Sequence, residues 1–476
     1  MSKNYYITTT LPYVNASPHI GFALEIIQAD VLARYNRLNG NKVFFNFGTD
    51  EHGQKIYQKA LEKKKDPQEY VDEYAKKFDN LKSALNLSYD AFIRTTDKNH
   101  IEAAQEMWKI CSKNGFIEKG QYNAKYCVGC ELEKQDSDLE KGVCQWHPNK
   151  KIQIIKEENY FFKFSKFEKQ LLRLYKDNPD FIVPKHRSTE IQNFVSAGLK
   201  DFSISRLKEK MPWGIEVPRD PKHVMYVWFD ALTNYISTLG WPNDLGNFEK
   251  FWGTKKSPKA IQIAGKDNLR QQTAMWQAML MAADLPVSKQ ILIHGFITSD
   301  GAKMSKSLGN VIDPIKYSQK YGEDALRYYL LAKVSPTEDS DFTKEKFEEV
   351  YNSDLSNGLG NLVSRVAKMA EVNNINCGKS DIYEVDKFIS EPIEKFRFDW
   401  ALDEIWKKIK VLDTKINNEE MWKGTDKKIV SFVEVVEGLR QISFDLKSFL
   451  PETADKIEKI FKGPKIKSTE PLFPRL

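Results

Sequence analysis

The sequence predicts an α/β core of the doubly wound, Rossmann type, interrupted by a cysteine-bearing insert and followed by an all-α helix bundle. Three observations predict it. Apolar runs of strand length alternate with helix-periodic segments, and most of those runs end in small, polar or charged residues. Such alternation gives a parallel sheet whose ligands bind beyond the carboxyl ends of the strands. A block from about residue 117 to 222 breaks the alternation, and beyond about residue 344 strand signals fade and helical periodicity remains.

In order, Tyr5 to Thr10 reads as a buried strand. Pro12 and the turn Asn15-Ala16-Ser17-Pro18 lead into a helix with Phe22, Ile26, Ile27, Val31 and Leu32 at helical spacing, ending near Gly40. Lys42 to Phe47 is a second strand closing on Gly48-Thr49-Asp50-Glu51-His52-Gly53, and Ala91 to Thr95 a third. Ala260 to Ala264 runs into Gly265-Lys266-Asp267, and Gln290 to Ile293 into His294-Gly295-Phe296. This divides the chain into sheet halves at 1–116 and 223–300, an insert at 117–222, a loop and stem-contact segment at 301–344, and a helical domain at 345–476. In the last, Phe347 to Ala370, Trp400 to Lys415 and Lys427 to Leu450 are helix-periodic, as antiparallel helices require.

Hydrophobic residues at 41% and charged residues at 29% are ordinary for a globular protein, and the net charge of +6 permits a polyanionic partner without requiring one. No run reaches membrane-spanning length, and the N-terminal residues lack the apolar core of a signal peptide. Five cysteines, three of them clustered, argue against a secreted disulfide framework and for a reducing, cytoplasmic setting.

Three motifs carry chemistry. His19-Ile20-Gly21-Phe22 sets a histidine and a glycine at a helix N-terminus, where backbone N–H groups and the helix dipole favour phosphate. Lys303-Met304-Ser305-Lys306-Ser307 sets two lysines in a loop bounded by Gly301 and Gly309. Alone, each reads as a helix-start histidine or a solvated basic loop; in this order and setting, they grip a polyphosphate from opposite sides. Cys127-x-x-Cys130 with Cys144-x-x-His147 has knuckle spacing, and four such ligands close a tetrahedral, structural Zn²⁺ site. Cys111 and Cys377 are left over as buried thiols.

At these residues the chain resembles the class I aminoacyl-tRNA synthetases, whose signatures are written HIGH and KMSKS. The resemblance narrows to the methionyl-tRNA synthetase family through Thr10-Leu11-Pro12-Tyr13-Val14-Asn15, Gly48 to Gly53, Val227-Trp228-Phe229-Asp230-Ala231, and Gly301-Ala302 before the lysine motif. It implies ATP-dependent activation of L-methionine and transfer to tRNA(Met), including the initiator, with Mg²⁺ accompanying ATP. It implies His19, Lys303 and Lys306 as catalytic residues, with Gly21, Glu25, Gly265, Asp267, His294 and Ile297 binding ATP alongside His19 and Lys306. Leu11, Tyr13, Trp228, Ala231 and Tyr235 would form the methionine pocket, Asp50 would bind the α-amino group, and Gln272 would hydrogen-bond near the sulfur. Asn361, Arg365 and Trp422 would read the CAU anticodon, since single-stranded bases suit stacking on indole and bonding to Asn and Arg. A monomer is expected. The chain departs from the pattern at Phe22, where the family has histidine, and at Gln271-Gln272-Thr273-Ala274-Met275, where many members have aromatic residues and a histidine. It also lacks the proline often found before Trp422.

Two rivals stay open at this level. Leucine, isoleucine and valine enzymes are larger and carry an editing domain, while a cysteine enzyme would hold zinc in its amino-acid pocket. A zinc-bearing tRNA-binding scaffold without catalysis is the second; tRNA binding without adenylate formation would select it.

Overall fold

The computed structural model describes residues 2–130, 132–134, 138–140, 142–304, 309–378, 383–423 and 429–476. Its main sheet has six parallel strands: β1 (Asn4–Thr9), β2 (Lys42–Thr49), β3 (Ala91–Arg94), β4 (Ile182–Val183), β5 (Ala260–Gly265) and β6 (Gln290–His294), in the order β3-β2-β1-β5-β6-β4. The chain winds outward from β1 to β3, then returns on the other side of β1 with β5. The switch point therefore lies between β1 and β5, where Thr9 pairs with Ile263.

Side chains alternate across the strands and feed two layers. Ile7, Ile261, Ile263 and Leu292 enter one core; Tyr6, Ala264, Ile291 and Ile293 enter the other. The first core holds helix α1 (Ile20–Leu38) through Leu24 and Ile27 and runs on without a break into the helical region through Leu326, Leu362, Ile405 and Leu439.

β4 was not anticipated, because it lies inside the stretch read as an insert. Ile182 and Val183 pair with Ile291 and Leu292 at the sheet edge, so the chain touches the core again midway through residues 117–222. The insert proper is a long antiparallel hairpin, Ile117–Cys127 against Gln153–Phe162, with the cysteine cluster at its tip.

Among the described residues the C-terminal region comprises the helices Asn361–Val372, Lys387–Glu394, Phe398–Asn418, Ile429–Leu446 and Pro451–Phe461. A π-helical stretch, Tyr351–Gly360, precedes the first of them. Within the apolar joint to the sheet domain sits a buried ion pair. The fully buried Arg327 pairs with Asp30 of α1 at 2.8 Å and donates to the carbonyls of Leu85 (3.1 Å) and Phe449 (2.7 Å). Among the described residues no helix is long and apolar enough to cross a membrane.

Candidate functional site

His19 caps α1. Its Nδ1 accepts the Gly21 N–H at 3.1 Å, and the Ile20 N–H is taken by the Ile312 carbonyl at 3.0 Å. A Cβ on Gly21 would lie 2.9 Å from His19 Cε1, so a glycine is needed for the ring to fold back over the helix end. Burial pushes the His19 imidazolium down to about 4. With Nδ1 accepting, the neutral ring carries its proton on Nε2. Phe22, where the family signature has a second histidine, packs 4.3 Å from the His19 ring and 5.6 Å from Phe78 between centroids, and so braces the first histidine.

Across the switch point a buried polar node joins α1 to the ends of two strands, β1 and β6. Glu25 accepts from the Thr10 N–H (2.7 Å) and hydroxyl (2.5 Å) and from His294 Nε2 (2.9 Å). Burial alone would lower the His294 pKa, but the Glu25 carboxylate outweighs it and raises it. Gly265 sits opposite His294 in register, and Asp267 follows in an exposed turn. Ile297 is part of the core and begins a short strand, Ile297–Ser299. Thr10 was not singled out from sequence, although it heads the stretch Thr10 to Asn15.

The loop after β1 runs beside the end of β2: the Val14 N–H donates to the Asp50 carbonyl, and the Asp50 N–H to that of Pro12. This brings Leu11, Tyr13 and the buried Asp50 together. Trp228, Ala231 and Tyr235 come from two short helices, Val227–Ala231 and Asn234–Ser237. Trp228 is partly exposed while its neighbours are buried, and its indole N–H has no partner among the described residues. Gln272 Nε2 donates to the Tyr235 hydroxyl at 2.5 Å from a π-helical turn, Gln271–Met275. Burial pushes the Tyr235 phenol far up, so it stays protonated.

Sequence reasoning missed the brace behind this group. The fully buried Asp230 accepts from His52 Nδ1 (2.7 Å) and His100 Nε2 (2.8 Å). Burial pushes its carboxyl upward, and the two histidines outweigh burial to leave it below the ordinary range. Asp230 stands two residues after Trp228, and His52 two after Asp50. Both lie inside stretches that carried the family resemblance, which was the available signal.

Lys303 ends a strand, Ala302–Lys303, that pairs with Thr298 and Ser299. Its ammonium lies 5.5 Å over the ring of Trp146 at the tip of the insert. Lys306, with Ser305 and Ser307, lies outside the described residues. The ligand atoms of Cys127, Cys130, Cys144 and His147 lie within 4.8 Å of one another, with Cys130 Sγ 3.5 Å from Cys144 Sγ and 3.2 Å from His147 Nδ1. Tetrahedral zinc with these ligands needs separations of about 3.5–3.8 Å; the 3.2, 3.5 and 3.9 Å found here lie around that range, and shifts of a few tenths of an ångström would let the four residues hold the ion. Gly129 makes room for the histidine, since a Cβ there would meet the His147 ring at 2.5 Å.

In the helical region Asn361 and Arg365 stand one turn apart on one helix. Arg365 bonds Asp413 (2.8 Å) and Asn417 (2.9 Å), and Trp422 follows five residues later in a short 3₁₀ turn. Trp422 is 50% exposed.

The comparisons with known proteins agree with this geometry. The family model described as "tRNA synthetases class I (M)" matches residues 5–145 and 129–367. The methionine--tRNA ligase of Rickettsia bellii is 39% identical, covering 96% of this chain and 92% of its own; that of Fusobacterium nucleatum is 37% identical, covering 100% and 80%. Mycobacterium tuberculosis methionyl-tRNA synthetase in complex with methionyl-adenylate superposes with a TM-score of 0.90 at 31% identity, over 99% of this chain and 100% of that one. An open parallel sheet with a histidine-capped helix at its switch point is thus a class I synthetase core. The chain belongs to the methionine branch of the class I tRNA synthetase family.

Proposed function

We propose that the chain activates L-methionine with ATP to methionyl-adenylate and transfers the methionyl group to the 3′-terminal adenosine of tRNA(Met), initiator included. The observation that carries this is the histidine-capped α1 at the β1/β5 switch point, in a chain whose relatives across its length are methionine--tRNA ligases. A methionine carboxylate oxygen attacks the α-phosphorus of ATP, the bond to the β-phosphate bridge breaks, and pyrophosphate leaves. The ribose hydroxyl of the tRNA then attacks the acyl carbon, the bond to the phosphate oxygen breaks, and AMP leaves. Neither step demands strong acid–base help; both demand positioning and charge neutralisation.

In this reading neutral His19 donates its Nε2–H to a phosphate oxygen, while Lys303 and Lys306 meet the charge that builds on the leaving pyrophosphate. Gly21, Glu25, Gly265, Asp267, His294 and Ile297 frame the nucleotide. Asp50 takes the ammonium of methionine, and Leu11, Tyr13, Trp228, Ala231, Tyr235 and Gln272 surround its side chain. Cys127, Cys130, Cys144 and His147 hold a structural Zn²⁺, which staples the tip of the insert. Mg²⁺ enters with ATP and supplies further charge neutralisation on the phosphates. Asn361, Arg365 and Trp422 read the anticodon. The chain acts as a cytoplasmic monomer, and the five cysteines, none paired with another, suit that compartment. The deciding experiment is ATP–pyrophosphate exchange with methionine, leucine and cysteine, on the wild type and Lys306→Ala. Exchange with methionine that collapses in the variant supports the reading; no exchange from folded, zinc-loaded protein refutes it.

A further inference from the structure

The segments that follow β5 and β6 are strapped together by residues 335–342, which come shortly after the helix Glu323–Ala332. Gln28 Nε2 donates to the Pro336 carbonyl at 3.4 Å, which ties the strap to α1, the helix that His19 caps. The backbone of Glu338 and Asp339 then passes over Gly295. An added Cβ there would meet it at 2.2–2.5 Å, so only glycine lets the two segments come this close. The strap ends as a short strand, Ser340–Phe342, that pairs with Ile297–Ser299.

Two carboxylates on the strap, two residues apart, each hold two partners. Asp339 Oδ1 accepts the Phe296 N–H at 2.9 Å, and Oδ2 takes the Lys266 ammonium at 2.6 Å. That ammonium also lies 4.5 Å over the Phe296 ring. One side chain thus ties the Gly265-Lys266-Asp267 turn to the segment His294 to Ile297. Burial pushes the Asp339 carboxyl up, and Lys266 with the Phe296 N–H outweighs burial, so it is held below its ordinary range. Asp341 Oδ1 accepts the Thr298 hydroxyl at 2.6 Å and the Gly301 N–H at 2.9 Å. Thr298 pairs with Lys303 in a hairpin whose turn residues, Asp300 and Gly301, both have left-handed backbone, with φ of 53° and 72°. Asp341 therefore grips the root of the lysine loop at its turn and at the residue facing Lys303.

We propose that Asp339 and Asp341 are positioning residues for the nucleotide: Asp339 sets the spacing of the two segments that hold the adenosine, and Asp341 aims the lysine loop at the phosphates beyond it. The inference rests on the ATP-binding reading above. Groups held in place before the ligand arrives cost less to order when it binds. The two carboxylates act on different parts of one ligand. AMP offers the adenosine and a single phosphate, whereas ATP adds the β- and γ-phosphates that the lysines meet. Loss of Asp339 weakens both nucleotides alike; loss of Asp341 weakens ATP and spares AMP.

The test is calorimetric binding of ATP, AMP and methionine, each alone with Mg²⁺ present, to the zinc-loaded full chain, on the wild type, Asp339→Ala, Asp341→Ala and Asp341→Asn. Asp339→Ala is expected to weaken ATP and AMP about fivefold each, with their ratio unchanged. Asp341→Ala is expected to lower the ATP-over-AMP ratio about fivefold while AMP stays within about twofold of the wild type. Asp341→Asn, which keeps an amide oxygen for both bonds, is expected to recover the ratio. Methionine affinity is expected to stay within about twofold throughout, which a merely loosened domain would not allow. Unchanged nucleotide affinities in both alanine variants, or an Asp341→Ala that weakens ATP and AMP together, overturns the strap's role while leaving the enzymatic reading intact. The expected variant pattern without pyrophosphate exchange in the wild type would leave the strap standing and refute the enzymatic reading alone.

Discussion

Asp230→Asn is the sharpest perturbation of the site, because it changes no volume and touches a residue that meets neither substrate. Asp230 offers two carboxylate oxygens to two ring N–H groups, at 2.7 and 2.8 Å, with its side chain fully buried. Asparagine leaves one amide oxygen for both, so one histidine must shift its proton or lose its partner. A charge-assisted bond lost in the interior costs about 2 kcal/mol, whereas Asp230→Ala, which strips both histidines, costs about 3–5 kcal/mol. The asparagine change leaves most of a stability of roughly 5–15 kcal/mol, so the protein stays folded for assay. The brace ties the loop carrying Asp50 to the helix carrying Trp228; methionine KM in pyrophosphate exchange should rise about fivefold, the equivalent of about 1 kcal/mol. The sign with pH follows from the direction of the shift. A carboxyl held low in the fold stabilises it above the unfolded value and loses that contribution as pH falls through the folded one. The wild type should therefore lose stability below about pH 4 by an increment that Asp230→Asn lacks. Urea titrations at pH 7 and pH 3.5 with exchange kinetics read both effects. A variant within about 0.5 kcal/mol of the wild type at pH 7, with unchanged methionine KM, would refute the brace.

Gly129→Ala drives a Cβ to 2.5 Å from the His147 ring, so zinc content should fall well below one per chain by metal analysis, with a lowered melting temperature. Trp422→Ala should leave pyrophosphate exchange at the wild-type rate while tRNA aminoacylation kcat/KM drops about tenfold, the cost of one lost stacking contact.

Much of the sheet was legible because strand ends are punctuated: β1, β2, β5 and β6 each stop at residues that a buried strand would not hold. The cysteine cluster was legible from spacing alone. The contribution of Ile182 and Val183 to the sheet was not, since two residues show no periodicity. Nor were the π-helical turns at Gln271–Met275 and Tyr351–Gly360, whose wider hydrogen-bond step leaves no mark in a pattern of apolar residues. The contacts that shape the site are long in sequence. Glu25 meets His294 across 269 positions and His52 meets Asp230 across 178, distances over which a single sequence carries no pairing information. Trp422 was reached through the resemblance and not through periodicity: the helix before it ends at Asn418, and the indole stands exposed in the short turn that follows.

The joint at Arg327 sets a limit on how this protein can be dissected. Its guanidinium is held by Asp30 on one side and by the carbonyls of Leu85 and Phe449 on the other. A fragment cut before the C-terminal helices would strip Phe449 away and uncover the apolar face that Leu326 shares with Leu362 and Leu439. Anyone wanting a minimal activating enzyme should therefore trim from the tip of the insert, where the hairpin projects, and keep the helices as part of the machine.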